Sequence, residues 1–485
     1  MGILKKIVTT NTHVVDILGN VKGRDQPIML MDKALQLVDT LPSEIFVDDE
    51  VVFFDPFCKA GEILLSCAFN SCIHKSKKNR KVLDVEDIQK ELYESKRYYA
   101  IAPDERHHRL SLRTFLGNEN SHKDEFIRII RNGNYLSEVD GRLDEEMYQK
   151  EFDKMLEYIK QDSGKQKIIA VGNPPYQESE TSDGPGAKSI YNIFAESLMD
   201  CKDIQEFVLV IPSRWFTSGK GSKKFRERVL GSTNIKNIRH FVNSKEVFPT
   251  VDVQGGICFF HYNANHDGKV DFTMDNTTSN VDLTKYDIIL DDVKGYDLVE
   301  KVLSNWNDEF VSSIAWPVRP WAIRTFYFQR NKPLPDGHKD AVPCYSKGRK
   351  VMNANINDIP KNVDRIDEWK VAVPTGYSLG SRRVTLPPHQ FFIVPKGYIT
   401  TETYNIVGSF KKKYEAENFR NYLATNFGRY FLGLRKVTQH IYQKQWSWLP
   451  LVDVSQDWTD EKLFKMFKIT LEEQKHIAKK LEEWS

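Results

Sequence analysis

The sequence predicts an α/β protein: a doubly wound, mostly parallel sheet comes first and a mixed α+β domain follows it. From about residue 50 to residue 262, short apolar runs of strand length alternate with amphipathic stretches, the pattern of βα units. Two of those runs, FVLVIP and IIAVGN, are continuously apolar, as strands buried on both faces must be. After Tyr262 the pattern gives way to polar turn clusters such as DNTTSN and LPDGHKD. The expected organisation is a first domain over residues 1–262, a linker over 263–310 and a second domain over 311–485.

The first strand is Val51 to Phe54, and the helix after it covers GEILLSCAFNSCIHK, from Gly61 to about Lys75. Further strands are expected at Arg97 to Ile101, Ile168 to Val171, Phe207 to Ile211, Ile238 to Val242 and Ile257 to His261, six in all. The second domain is rich in Trp, Pro, Arg and Lys. It closes with two helical stretches, one with Phe419, Leu423, Phe427, Tyr430 and Leu434 at helical spacing and one from Thr470 to Trp484.

A chain of 485 residues, 40% hydrophobic and 12% aromatic, is long enough for two folded cores, which excludes a disordered protein. The net charge of +2 makes any nucleic-acid surface a local patch. The six cysteines form no CxxC pair or Cys/His cluster at zinc spacing, so no metal is expected and the thiols read as reduced. MGILKKIVTT is not a signal peptide and no run has the length of a membrane span, so a soluble cytoplasmic protein with no membrane partner is expected.

In VVFFDPFCKAGEILL, Asp55 stands at the carboxyl end of a buried strand and Gly61 opens the following helix. Open α/β sheets bind ligands at such places, with the helix N-terminus facing the ligand. A nucleoside cofactor would use the backbone of this turn. Asp104 and Glu105 follow the next strand, a place where acids are usually solvated.

The run IIAVGNPPYQ ends a strand in Asn173-Pro174-Pro175-Tyr176. The two prolines lock the backbone, because Pro174 pushes Asn173 out of the helical region and each ring fixes its own φ. These residue types suit methylation of an aromatic amine, whose nitrogen lone pair is delocalised into the ring. The side-chain carbonyl of Asn173 and the main-chain carbonyl of Pro174 can accept the two amine hydrogens and return the lone pair to nitrogen. Tyr176 offers an aromatic face to a base turned out of its helix, a contact of roughly 1–3 kcal/mol. A proline-stiffened turn with a core tyrosine is the other reading of the same four residues.

The first of these segments resembles the cofactor motif of DNA adenine methyltransferases, Asp-Pro-x-x-Gly-x-Gly. Asp55, Pro56 and Gly61 match, Phe57 is a common occupant of its place, and Lys59 replaces the first glycine. Asn173 to Tyr176 is similar to the family's catalytic motif. The resemblance continues through the SIYNIFAESLMDC helix, the FVLVIPSRWF strand and turn, and Val247-Phe248-Pro249 with the strand after it. The motif order resembles that of the γ class, which includes restriction-modification methylases.

The resemblance implies a Rossmann-like methyltransferase domain over 1–262 and a DNA target-recognition domain over 311–485. It implies S-adenosyl-L-methionine as cofactor, near Thr12, Asp55, Pro56, Phe57, Lys59, Gly61 and Asp104. It also implies catalysis by Asn173, Pro174, Pro175 and Tyr176, with Phe248 against the target base or in the core. Double-stranded DNA is the implied partner, with a separate restriction endonuclease as a second.

In the second domain Lys347, Arg349, Arg382, Arg383, Lys411, Lys412, Arg435 and Lys436 fall in or beside loops, interleaved with Trp316, Trp321, Tyr345 and Tyr377. Basic groups position a protein on phosphate, and their joint presence favours DNA binding over a merely solvated face. Gln439 and His440 are candidates to read a base edge, whereas Trp446 and Trp448 read as core. The basic loop from Gly219 to Lys224 suits a phosphate contact or a solvated cap equally. Alternatives are methylation of a glutamine amide, which presents the same planar nitrogen, methylation of RNA adenine, and a DNA-binding protein with a decayed site. No nuclease signature is found.

Overall fold

A computed structural model describes residues 29–79, 85–116, 123–137, 141–178, 188–217, 221–249, 251–253, 255–378 and 384–485. The chain divides into two compact units, the first ending at Val293 and the second beginning at Lys294.

In chain order the first unit starts with α1 (Met31–Val38), β1 (Val51–Asp55), α2 (Glu62–Asn79), α3 (Val85–Glu94) and β2 (Tyr98–Ala102). Next come α4 (Glu105–Leu116), α5 (Lys123–Ile129), β3 (Ile130–Asn132), α6 (Glu145–Ser163), β4 (Lys167–Gly172) and α7 (Tyr191–Asp200). It ends with β5 (Ile204–Pro212), α8 (Lys223–Leu230), β6 (Ile235–Phe241), β7 (Ile257–Asn263), β8 (Val270–Met274) and β9 (Thr277–Val281). The nine strands form one sheet in the order β3-β2-β1-β4-β5-β7-β6-β8-β9.

Strands β3, β2, β1, β4 and β5 are mutually parallel, and β7 runs antiparallel between β5 and β6. Every residue of β1 and β2 is buried, which is why both read as unbroken apolar runs. Each fully buried Val or Phe there contributes roughly 1.5–3 kcal/mol. From β1 the chain winds outward to β3, then returns to β4 on the other side of β1 and winds the opposite way. β1 and β4 are therefore neighbours where the winding reverses, the position at whose carboxyl ends open α/β sheets form their ligand crevice.

The expected linker over 263–310 is corrected by this sheet. Val270, Phe272 and Met274 alternate inward along β8, which pairs parallel to β6. Asp275 and Asn276, at φ +48° and +62°, make the tight turn into β9. The first unit therefore extends some thirty residues further than expected, to Val293.

The second unit is mixed α+β. It contains α9 (Val293–Ser304), α10 (Tyr327–Arg330), β10 (Ala341–Tyr345), β11 (Val351–Asn355), β12 (Trp369–Pro374), β13 (Phe392–Val394), β14 (Ile399–Thr400) and β15 (Tyr404–Phe410). After these come α11 (Lys413–Ala424), α12 (Asn426–Arg435), α13 (Asp460–Met466) and α14 (Leu471–Glu483). Two three-stranded sheets, β11-β10-β14 and β13-β12-β15, share a core that includes Trp316, Trp321, Val342, Cys344 and Ile406.

All five residues of the expected helix from Phe419 to Leu434 are buried, but two helices supply them. The break is at Thr425, whose extended backbone lets its hydroxyl accept the Gly428 N–H at 3.0 Å and cap α12. Thr470 and Glu473 form a reciprocal cap at the start of α14. Among the described residues no helix is long and apolar enough to cross a membrane.

Candidate active site

The loop after β1 is fastened on every side. The Phe57 N–H donates to Asp55 Oδ1 at 3.0 Å, the Tyr135 hydroxyl to the Pro56 carbonyl at 2.8 Å and the Ser111 hydroxyl to the Lys59 carbonyl at 3.1 Å. Phe57 is fully buried against Phe194, 4.9 Å between ring centroids. Gly61 sits at φ +82°, and a Cβ there would stand 2.7 Å from the Phe115 ring. Only glycine satisfies both conditions, and its turn leads into the N-terminus of α2.

The loop after β4 is held just as tightly. Asn173, Pro174, Pro175 and Tyr176 are all buried. The Tyr176 carbonyl accepts the Ile190 N–H at 3.1 Å, and Gln177 bridges to Ser189. These bonds tie the loop to the residues just before α7. The Tyr176 ring stands edge-on to fully buried Phe248, with centroids 6.2 Å apart and planes at 71°.

The two loops touch. A Cβ on Gly172, the residue before Asn173, would lie 2.8 Å from the Phe57 ring and 3.0 Å from Asp55 Oδ1. Lys59 Nζ lies 5.3 Å from the centroid of the Tyr176 ring, within cation–π range. The structure thus brings Asp55, Pro56, Phe57, Lys59 and Gly61 together with Asn173, Pro174, Pro175, Tyr176 and Phe248.

Burial governs the charges. It pushes the Asp55 carboxyl well above the usual range, against the pull of the Phe57 N–H, and it raises Glu62 as well. Burial lowers Lys59 to about 7, with Glu62 and Asp55 acting in the opposite direction. Lys59 is 2% exposed, and among the described residues its ammonium has no hydrogen-bond partner.

Other expected site residues have different surroundings. Asp104 caps α4: its carboxylate accepts the His107 N–H at 2.9 Å and lies 2.7 Å from His107 Nδ1. Burial alone would raise its pKa, but the bonds and charge of His107 bring it below the usual value. Lys436 is buried and donates to the carbonyls of Tyr377 and Val384 at 2.7 and 2.9 Å. Arg435 is buried over the Trp448 ring at 4.2 Å. Neither offers an open charge, a correction to their expected place on DNA.

Lys347, Lys411 and Lys412 are exposed. Arg349 is half-buried, 4.4 Å over the Phe392 ring. Trp316 and Trp321 are core, and so are Trp446 and Trp448, as expected. Thr12, Gly219, Lys220, Arg382 and Arg383 lie outside the described residues.

Sequence reasoning missed Glu62 and Tyr135. Glu62 is a buried acid in the first turn of α2, and its Oε1 accepts the Met29 N–H at 3.1 Å. An acid directly after a turn glycine was the available signal. Tyr135 gave none, because it lies in an irregular segment and meets Pro56 only through the fold.

Two solved structures are distantly similar to this chain. One is the Type IIL restriction-modification enzyme MmeI in complex with DNA, 11% identical, covering 89% of this chain and 65% of that one at a TM-score of 0.41. The other is the type IIG restriction endonuclease BpuSI, 11% identical, covering 93% and 61% at a TM-score of 0.37. A protein of Mycoplasma pneumoniae described as an uncharacterized adenine-specific methylase is 32% identical over 165 residues, which are 32% of this chain and 38% of that protein. The chain thus spans well under half the length of that relative. Residues 78–248 match the Eco57I restriction-modification methylase family, a stretch that includes Asn173 to Tyr176 and Phe248.

Proposed function

We propose that this chain is a site-specific DNA adenine-N6 methyltransferase that uses S-adenosyl-L-methionine and belongs to a restriction-modification setting. The observation that carries the reading is the contact between the two loops at the switch point, through Gly172 against Asp55 and Phe57 and Lys59 over Tyr176. A methyl donor in one loop and an amine acceptor in the other are neighbours by construction.

The residues present fit the cofactor. A tight glycine turn leads into the N-terminus of α2, and a buried ammonium without a hydrogen-bond partner among the described residues is available for a carboxylate. Asp55 through Gly61 would hold it, with Thr12 and Asp104 as further candidates from the resemblance; Asp104 would add a ribose contact only by sharing its oxygens with His107. When bound, S-adenosyl-L-methionine supplies an electrophilic methyl group.

The chain's own residues prepare the acceptor. Asn173 Oδ1 and the Pro174 carbonyl accept the two amine hydrogens, and Pro174 and Pro175 keep those oxygens in place. Tyr176 stacks on the extruded base, and Phe248 supports Tyr176 edge-on. Both rings are buried here, so base entry requires local opening of this corner. Double-stranded DNA is the substrate, met in the second unit by the exposed Lys347, Lys411 and Lys412 together with Arg349, and a restriction endonuclease is a separate partner. A basic second unit favours nucleic acid over a glutamine amide.

Sequencing DNA from cells that express the protein, by a method that detects modified adenine, tests this. Methylation at one short sequence is expected. Unmodified DNA, together with no methyl transfer to DNA by the purified chain, would overturn the reading. Cutting by the purified chain with magnesium would overturn methylation without cleavage.

A further inference from the structure

The geometry points to Lys59 as a positioning residue that anchors the carboxylate of the methyl donor's amino-acid portion and so orients the donor toward Tyr176. This rests on the reading that the switch-point crevice takes S-adenosyl-L-methionine. Lys59 replaces a glycine of the usual motif, so its side chain is an addition to the loop. The side chain is almost wholly buried, and its ammonium hydrogens have no acceptor among the described residues.

A buried donor left without a partner is costly, and such groups concentrate where a ligand completes them. The groups facing it are Asp55 at the end of β1, Glu62 at the start of α2, His107 on α4 and the Tyr176 ring. The two acids already have other partners: Asp55 accepts from Phe57 and Glu62 from Met29. His107 has its own partner in Asp104, and burial lowers its pKa. An incoming carboxylate is the chemistry the site lacks. Nζ lies 5.3 Å from the centroid of the ring that would meet the base.

Burial lowers Lys59 to about 7, so much of it is neutral at pH 8. A bound carboxylate favours its charged form, and binding should then draw a proton from solution.

The test is calorimetric titration of the full chain at pH 8 with two ligands, S-adenosylhomocysteine and 5′-methylthioadenosine, which lacks the amino acid. The wild type should bind S-adenosylhomocysteine roughly 10- to 100-fold more tightly. In buffers of different ionisation enthalpy it should also take up a fraction of a proton with that ligand only. Lys59→Met should erase both the preference and the uptake, and Lys59→Arg should restore the preference. Equal affinity of the wild type for the two ligands overturns the anchor while leaving the cofactor reading intact, and this needs no variant to fold. A Lys59→Met preference equal to the wild type's overturns it too. No heat from either ligand removes the cofactor reading and the anchor with it.

Discussion

Lys59 in the first unit and Lys370 in the second are both buried, and they differ in their hydrogen-bond partners. Lys59 and Lys370 are 2% and 0% exposed, lie 5.3 and 5.4 Å over the rings of Tyr176 and Trp321, and are both lowered to about 7, chiefly by burial. Lys370 donates to the carbonyls of Ile366 and Tyr398 at 2.6 and 2.7 Å, whereas Lys59 has no acceptor among the described residues. Depressed basicity alone therefore does not mark a site. The hydrogen-bond inventory around the group does.

The largest expected effect separates function from stability in the first unit. Asn173→Ala should slow methyl transfer about 10²- to 10³-fold, the range seen when one preorganised polar contact to a reacting group is removed, with little change in melting temperature. Single-turnover transfer of labelled methyl reads this, and a wild-type rate would end the role given to Asn173. In the second unit the opposite split is expected. Lys370→Met strands two buried carbonyls and should cost about 1–3 kcal/mol of stability by denaturant unfolding, leaving methylation per folded molecule unchanged.

A smaller effect depends on pH. Lys59 falls from 10.5 to about 7 in the folded chain, so between those values the unfolded chain holds a proton that the folded chain has released. Stability from this group therefore rises with pH across that window. Lys59→Met lacks the penalty and should be more stable than the wild type near pH 7, with the gap closing toward pH 10. Lys370→Met is relieved of the same penalty but strands its carbonyls, so its destabilisation relative to wild type should be fullest near pH 10 and least near pH 7. Equal unfolding midpoints for Lys59→Met and wild type at pH 7 would contradict the comparison.

The smallest expected effect is on the surface. Replacing exposed Lys411 or Lys412 by Ala should leave stability unchanged and reduce the dependence of DNA affinity on salt by about one unit of slope per phosphate contact. Binding isotherms at several salt concentrations measure it, and an unaltered slope would remove these two lysines from the interface.

The strands that build the crevice were legible because parallel strands buried on both faces leave continuous apolar runs, as at Ile168 to Val171. The two loops were legible because glycine at Gly61 and paired prolines at Pro174 and Pro175 have few backbone options. The β8–β9 hairpin was not recognised, since β9 is polar and only Ser279 and Val281 face inward. The alternating Val270, Phe272 and Met274 with the Asp275-Asn276 turn were its signal. Arg435 and Lys436 misled for another reason: a run of letters records charge but not direction, and both side chains turn inward to meet carbonyls and an indole. Asp104 is similar, because a carboxylate after a strand serves equally as a ligand or as the cap of the next helix.

The missing side chain at Gly172 has an engineering consequence. With Phe57 and Asp55 packed where a methyl group would otherwise lie, the two loops cannot be altered separately. On the proposed methyltransferase reading, changing the modified nucleobase would require redesigning Asp55 through Gly61 and Asn173 through Tyr176 together.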